Sequence, residues 1–212
     1  MSSPVGGRTE AKSGLAAEIE SLKTPEVKDV AASPTVGAKA PSTTKLPLPD
    51  GKKTLILFLR HCGCPFAEKT FKSLASLSDK HRDVHFVAIS HSSSETTEQW
   101  IPEVGGAWQT EVLVDEGRDM YAQWGLGLSS AWHVFNPVAL YSVYSLGKEE
   151  GIWNKPTESG SRWQTSGSFA VDEAGIVTWL HISKSADHLP DFGEALKSLN
   201  TSPTQDTAKN LN

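Results

Sequence analysis

Residues 54–60 read TLILFLR, and they run directly into HCGC at 61–64 and PFAEKTFKSLASLSD at 65–79. The first seven are almost unbroken apolar residues rich in strand formers, the pattern of a central strand covered on both faces. In the last segment Phe66, Thr70, Leu74 and Leu77 recur at helical spacing, and Pro65 suits the first turn of a helix. The stretch predicts strand, turn, helix, with both cysteines of the chain in the turn. Cys64 then stands at a helix N-terminus, where unpaired amide donors and a partial positive charge favour a thiolate.

Beyond this unit the alternation continues. Val84–Ser90 (VHFVAIS) predicts a second strand, Glu95–Val104 a helix and Glu111–Asp115 a third strand, followed by a short helix over Arg118–Trp124 that Gly125 closes. Asn136-Pro137 is a start signal for a helix reaching Glu150. Ser168–Val171 and Ile176–Ile182, joined by Asp172-Glu173-Ala174-Gly175, predict a hairpin, and a last helix covers Pro190–Leu199. Alternating units followed by a hairpin and a helix predict an α/β fold, a mixed sheet with helices on both faces.

Residues 34–200 form the expected folded domain. Residues 1–33 hold few large apolar side chains and are expected to be a mobile N-terminal arm, although Leu15, Ile19 and Leu22 share one helical face that Pro25 ends. Residues 201–212 are polar and are expected to be a disordered tail. With 212 residues, of which 38% are hydrophobic, the chain supports one domain with a sizeable core. Twenty Lys and Arg against 25 Asp and Glu give a net charge of -5, so no basic field is available for nucleic acid. No apolar run approaches the roughly 20 residues that span a bilayer, and no signal-peptide core is evident, so no membrane partner and a cytoplasmic location are expected.

Two cysteines cannot make a disulfide framework, so Cys62 and Cys64 are read for chemistry. Arg60 and His61 add positive charge beside Cys64, while Glu68 opposes it and Lys69 offsets Glu68 in part. Cys62 is read either as a resolving partner or as a small core residue. An extended i, i+2 pair separates its Cα atoms by roughly 6.6 Å, near the limit for a disulfide, so a bridge needs the turn that Gly63 permits. His61, Cys62 and Cys64 are soft ligands of a kind that zinc or copper(I) takes, but no second ligand cluster accompanies them and no metal is expected. Gly125-Leu126-Gly127-Leu128-Ser129-Ser130 follows a predicted helix and lacks a third glycine, so it is not read as a dinucleotide loop. Seven tryptophans are read mainly as core, with some available to wall a pocket.

These residues resemble the AhpC/TSA, peroxiredoxin-like family of the thioredoxin-like superfamily over most of residues 35–200. Val36-Gly37-Ala38-Lys39-Ala40-Pro41 and Leu48-Pro49-Asp50-Gly51-Lys52 are similar to the opening of peroxiredoxin domains. Phe58-Leu59-Arg60-His61-Cys62-Gly63-Cys64 resembles the Phe-x-Arg-His-x-x-Cys segment of the branch that includes prostamide/prostaglandin F synthase. Gln164 to Asp172 resembles that branch's Gln-x-Gly-Gly-x-Phe strand, and the chain also looks like homologues from filamentous fungi. The second cysteine of the thioredoxin-type pair falls on Ala67, and Ser166-Gly167 stand where its cis-proline is expected.

The resemblance implies a thioredoxin-like fold and a cysteine-dependent oxidoreductase with Cys64 as nucleophile and Cys62, Arg60 and His61 around it. Pro65 and the loop carrying Trp163, Ser166 and Gly167 would face a small-molecule oxidant or metabolite. No bound cofactor is implied; thioredoxin or glutathione would supply the reducing thiol. Fold alone admits two other readings, a non-redox enzyme acting on a small metabolite and a non-catalytic binding protein.

Overall fold

The computed structural model describes residues 23–130, 137–156 and 159–201. Five strands form one sheet: β1 (Lys53–Phe58), β2 (Val84–Ser90), β3 (Thr110–Val114), β4 (Gly167–Val171) and β5 (Val177–Ile182), in the spatial order β3-β2-β1-β4-β5. The stretch that opened the sequence is the centre of this sheet. β1 pairs in parallel with β2, Leu55 opposite Phe86, and antiparallel with β4, Ile56 opposite Phe169. β2 and β3 are parallel, and β4 and β5 form the antiparallel hairpin expected around Asp172–Gly175.

Five helices are described: α1 (Pro65–Lys80), α2 (Ser94–Glu103), α3 (Asp119–Gln123), α4 (Pro137–Glu150) and α5 (Phe192–Asn200). Side chains alternate across β1, and this assigns the helices to faces. Leu55, Leu57 and Leu59 pack with Phe66, Phe71 and Leu74 of α1 and with residues of α2, α4 and α5; both cysteines belong to this layer. Ile56 and Phe58 point the other way, into a layer with Met120, Tyr121, Trp124 and Phe169. Phe58 touches three rings there, with centroids 5.0 Å from Tyr121, 5.5 Å from Trp124 and 5.9 Å from Phe169. Each such pair adds about 0.5–1.5 kcal/mol beyond burial of its area.

The helix ends follow local chemistry. Ser93 caps α2 by accepting from the Thr96 amide at 3.2 Å, so α2 starts at Ser94. Asp191 accepts from the amides of Gly193 and Glu194, which sets the start of α5 at Phe192 and not at Pro190. Arg118 has a left-handed φ of 59° and stands outside α3, whose amides of Asp119, Met120 and Tyr121 are taken up by the Asp115 carboxylate.

The N-terminal arm is described only from residue 23. Within it Ala31 donates to the Ala122 carbonyl, the Glu26 carbonyl accepts from Arg118, and Lys28 pairs with Asp119. Residues 26–31 thus run against α3. The Leu15, Ile19 and Leu22 face, the Asn136 cap, Trp132 and residues 202–212 of the tail lie outside the described residues. Among the other tryptophans, Trp100 and Trp124 are buried, whereas Trp108 and Trp153 stand exposed.

Candidate active site

The parallel strands β1 and β2 end at the same edge of the sheet, the usual place for a site in an α/β protein. After β1 the chain passes Arg60, His61, Cys62 and Gly63 to Cys64; after β2 it passes His91, Ser92 and Ser93 to α2. A third stretch, residues 151–156 and 159–162, meets both. Its Lys155 amide donates to the Gly63 carbonyl at 3.0 Å, and the Ser159 carbonyl accepts from the Ser92 hydroxyl at 3.2 Å.

Cys64 is the N-cap residue of α1, with extended backbone (φ -72°, ψ 125°) and Pro65 at the first helical position. Its carbonyl accepts the first helical bond, from the Glu68 amide at 3.1 Å, while its side chain makes no capping bond. Cys64 is 5% exposed and belongs to the apolar layer that includes Phe66 and Ile152. Of the flanking charges, Glu68 pairs with Lys72 at 2.6 Å, and Lys69 reaches across to Glu150 of α4. Lys69 therefore does not offset Glu68.

Cys62 has different surroundings. Its amide donates to Ser92 Oγ at 3.0 Å, one of the hydroxyls that follow β2. Its sulfur lies 3.8 Å from Ser90 Oγ and 3.9 Å from Thr97 Oγ1, two hydroxyls that bond each other at 2.9 Å. Burial pushes the Cys62 thiol up, against the pull of the hydroxyls of Ser92, Ser90 and Thr97. Both cysteines are free, so the turn at Gly63, with φ of 99°, exists without a bridge. Cys62 also lines an open cleft of about 260 Å3 with Trp100, Glu103 and Lys155, the last two forming an ion pair at 3.1 Å.

The positive groups are buried together. Arg60 donates from Nη2 to the Arg162 carbonyl at 2.8 Å. His61 directs Nδ1 to the Cys62 carbonyl at 3.0 Å, and burial, then the charge of Arg60, holds its ring well below the ordinary imidazole value. His91, pushed down to about 4 chiefly by burial, takes the Ser161 amide on Nε2 at 3.1 Å and meets the Tyr121 hydroxyl on Nδ1 at 3.4 Å. Both rings are neutral near pH 7 and act as fixed dipoles.

The expected substrate loop is divided. Ser166 donates to Ser183 at 2.9 Å and, with Gly167, lines a small cavity that also holds Arg60, Phe66 and Ala67. Pro65 is buried in the first turn of α1. Trp163 lies half-buried; its carbonyl accepts from the Ser129 amide at 2.6 Å and the Ser129 hydroxyl at 2.8 Å. A Cβ at Gly167 would meet Leu126 Cδ2, the end of a side chain, at 2.8 Å and the His181 carbonyl at 3.3 Å, so packing between β4 and its neighbours is tight at this glycine. The glycine-containing stretch 125–128 is bound to the same loop, since the Gln164 side chain donates from Nε2 to the carbonyls of Leu126 and Gly127 at 2.9 and 3.2 Å.

Sequence reasoning did not single out Ser90, Ser92, Thr97, His91 or Ser161. A run of short polar residues, His91 to Ser94, directly after a buried parallel strand was the available signal. Among the described residues no group of three or more His, Cys, Asp and Glu is placed to hold a metal ion, and no helix is long and apolar enough to cross a membrane.

Comparison with protein families matches residues 70–185, more than half of the chain, to AhpC/TSA antioxidant enzyme. The match starts six positions after Cys64 and so does not include the two thiols. No curated protein matches the chain. Among solved structures, a peroxiredoxin-like protein from Aquifex aeolicus aligns with a TM-score of 0.56 at 14% identity, over 82% of this chain and 91% of that one. A cysteine-to-serine mutant of peroxiredoxin 6 of Arenicola marina gives 0.56 at 15% identity, over 78% and 72%. The thiol peroxidase from Chromobacterium violaceum gives 0.51 at 16%, over 82% and 91%. At these identities the likeness is one of fold: the α/β architecture is thioredoxin-like, of the peroxiredoxin-like kind.

Proposed function

Because the chain belongs to the AhpC/TSA antioxidant enzyme family, we propose that it is a cysteine-dependent thiol oxidoreductase that reduces peroxides or endoperoxides through a Cys64 thiolate. The observation that carries this reading is the contrast between the two sulfurs. Cys64 is the N-cap of α1, followed by Pro65 and with no capping bond from its side chain, whereas Cys62 sits among the hydroxyls of Ser90 and Thr97 and burial raises its thiol.

In the proposed step the Cys64 thiolate attacks one peroxide oxygen. With a hydroperoxide an S–O bond forms as the O–O bond breaks, the substrate leaves as an alkoxide that takes up a proton, and sulfur is oxidised to a sulfenic acid. A second thiol then displaces water from that sulfur to give a disulfide. With an endoperoxide the attacked oxygen keeps its carbon, so sulfur becomes a sulfenate ester and the second thiol releases an alcohol in place of water. Cys62 supplies this thiol if the turn at Gly63 tightens; otherwise glutathione or thioredoxin does, and an external thiol finally restores both cysteines. His61 serves as a dipole in the turn that carries the reacting sulfur, and Arg60 as a positive charge behind the first turn of α1. Pro65, Trp163, Ser166 and Gly167 serve as the walls of the substrate approach. The proposed reaction uses no bound cofactor and is assigned to the cytoplasm, where thioredoxin and glutathione supply thiols. The resemblance of residues 58–64 and 164–172 to the prostamide/prostaglandin F synthase-like branch favours an endoperoxide among the substrates.

Intact-mass measurement after limiting peroxide, with and without a thiol trap, tests the reading. A loss of about two mass units shows a Cys62 to Cys64 bridge, and a trapped sulfenic acid shows a mechanism with one cysteine. Cys64→Ser should abolish both signals, while Cys62→Ser should keep the first oxidation and slow recycling. Oxidation that persists in Cys64→Ser, or thiols that react only after unfolding, would overturn it and favour the non-redox readings.

A further inference from the structure

Arg60 is 4% exposed, and among the described residues its side chain has a single hydrogen-bond partner, the Arg162 carbonyl at its Nη2. Its Nε and Nη1 are buried without a partner. A guanidinium, unlike a lysine amine or an imidazole, does not shed its charge on burial, so donors left unmet here keep a full positive charge uncompensated. Native proteins rarely tolerate this without a partner or a bound group.

Arg60 lines a cavity of about 20 Å3 between β1, the first turn of α1 and the start of β4. Ser168 lines the same cavity, and its hydroxyl is likewise buried and unpartnered. Leu57, Phe66, Leu189 and Pro190 form the apolar part of its wall, and the hydroxyls of Thr70, Ser166 and Ser183 that also line it are committed to the Phe66 carbonyl, to Ser183 and to the His188 carbonyl; among the described residues neither an acidic side chain nor either cysteine contributes to it. Among the described residues, the acids nearest this edge are committed: Glu68 to Lys72, and Asp115 to the amides of α3. His61 and His91 are neutral and supply no negative charge. The cavity therefore gathers a fixed cation and a free hydroxyl donor in apolar surroundings, with space for a group the size of one water molecule.

We infer that this cavity is a binding site for a small monoanion of halide size, held by Arg60 and Ser168. The volume excludes tetrahedral oxyanions, and the apolar wall favours a weakly hydrated ion over one that keeps its water shell. A water molecule would fill the space but leave the charge of Arg60 unbalanced. The site lies under the residues that follow Cys64, Phe66 and Ala67 among its lining, so its occupant acts on the turn that Cys64 caps. It stands whether or not the thiol turns over.

The test is anion-dependent stability of the full chain, with no activity measurement. Melting temperatures are compared in sodium chloride, bromide and gluconate at equal ionic strength. The expected result is a saturable rise in chloride and bromide over gluconate, as for any ligand bound only by the folded state. Ser168→Ala should raise the half-saturating chloride concentration about 3–10-fold, the worth of one hydrogen bond, and Arg60→Met should abolish the response. Crystals grown in bromide should show an anomalous peak beside Arg60. Equal melting in chloride and gluconate, a chloride response unchanged in Ser168→Ala, or crystals with water and no bromide in the cavity would overturn the inference. The bromide crystal and Ser168→Ala decide it even if Arg60→Met does not fold.

Discussion

The Tyr121 hydroxyl lies 2.8 Å from the Leu59 carbonyl oxygen, one residue before Arg60, and 2.7 Å from the Ile89 carbonyl oxygen at the matching point of β2. One phenolic proton thus serves the two strand ends from which the site departs. Burial, and then the charge of Asp115, raises the Tyr121 phenol well above its ordinary value, so the proton stays in place at any working pH. Tyr121→Phe should cost about 1–3 kcal/mol by leaving a buried carbonyl unmet, read as a lower urea midpoint with unchanged slope. An unchanged midpoint would show that the contact carries no net energy.

Stability should fall on mild acidification. His91 is pushed from 6.5 to about 4 in the folded chain, so the unfolded chain binds its proton first as pH drops. The stability it contributes is complete above about pH 6.5 and is lost between there and about pH 4, for a total of about 3 kcal/mol. His61 acts in the same direction. Urea unfolding at pH 7.5, 6 and 5 should show the decline, and His91→Gln should remove part of it. A flat profile in the parent chain would contradict the burial of both rings.

Gly63 has a φ of 99°, and a Cβ there would stand 2.9 Å from the Pro156 carbonyl oxygen and 3.2 Å from that of Lys155. Gly63→Ala combines left-handed strain with a backbone collision, for a loss of about 2–4 kcal/mol. Limited proteolysis should cut first near residues 151–156 as that segment is displaced. Parent-like resistance to protease would mean that this segment yields without cost.

Two truncations should differ. Removal of residues 1–32, compared with removal of 1–22, deletes the bond from Ala31 to Ala122 and the Arg118 contact with the Glu26 carbonyl. The longer truncation should melt several degrees lower, at about 2–4 °C for each kcal/mol lost. Equal melting temperatures would make residues 23–32 energetically neutral.

The elements that carry long apolar patterns were readable in advance. β1, α1, β2 and the β4–β5 hairpin have enough periodic or unbroken apolar residues that local pattern and packing agree. The boundaries that shifted are those fixed by caps: Ser93 and Asp191 each hold amides of the turn that follows, and Arg118 adopts a left-handed conformation. The position of Cys64 at the start of a helix followed from its neighbours in sequence. What surrounds Cys62 did not, because Ser90, Ser92 and Thr97 reach it through strand pairing and not through spacing. The segment 151–156 was hidden for the same reason, since Lys155 meets Gly63 across most of the domain and no local pattern marks such a contact.

That last contact also bears on time. A cysteine only 5% exposed, two residues from Cys62 and next to the glycine that Lys155 holds, meets a reagent in the intervals when the backbone there has opened. With dilute reagent the observed rate is the intrinsic thiolate rate scaled by the fraction of molecules open; with concentrated reagent it levels off at the opening rate itself. The plateau belongs to the fold and the initial slope to the sulfur, so reagents of different reactivity should share one plateau.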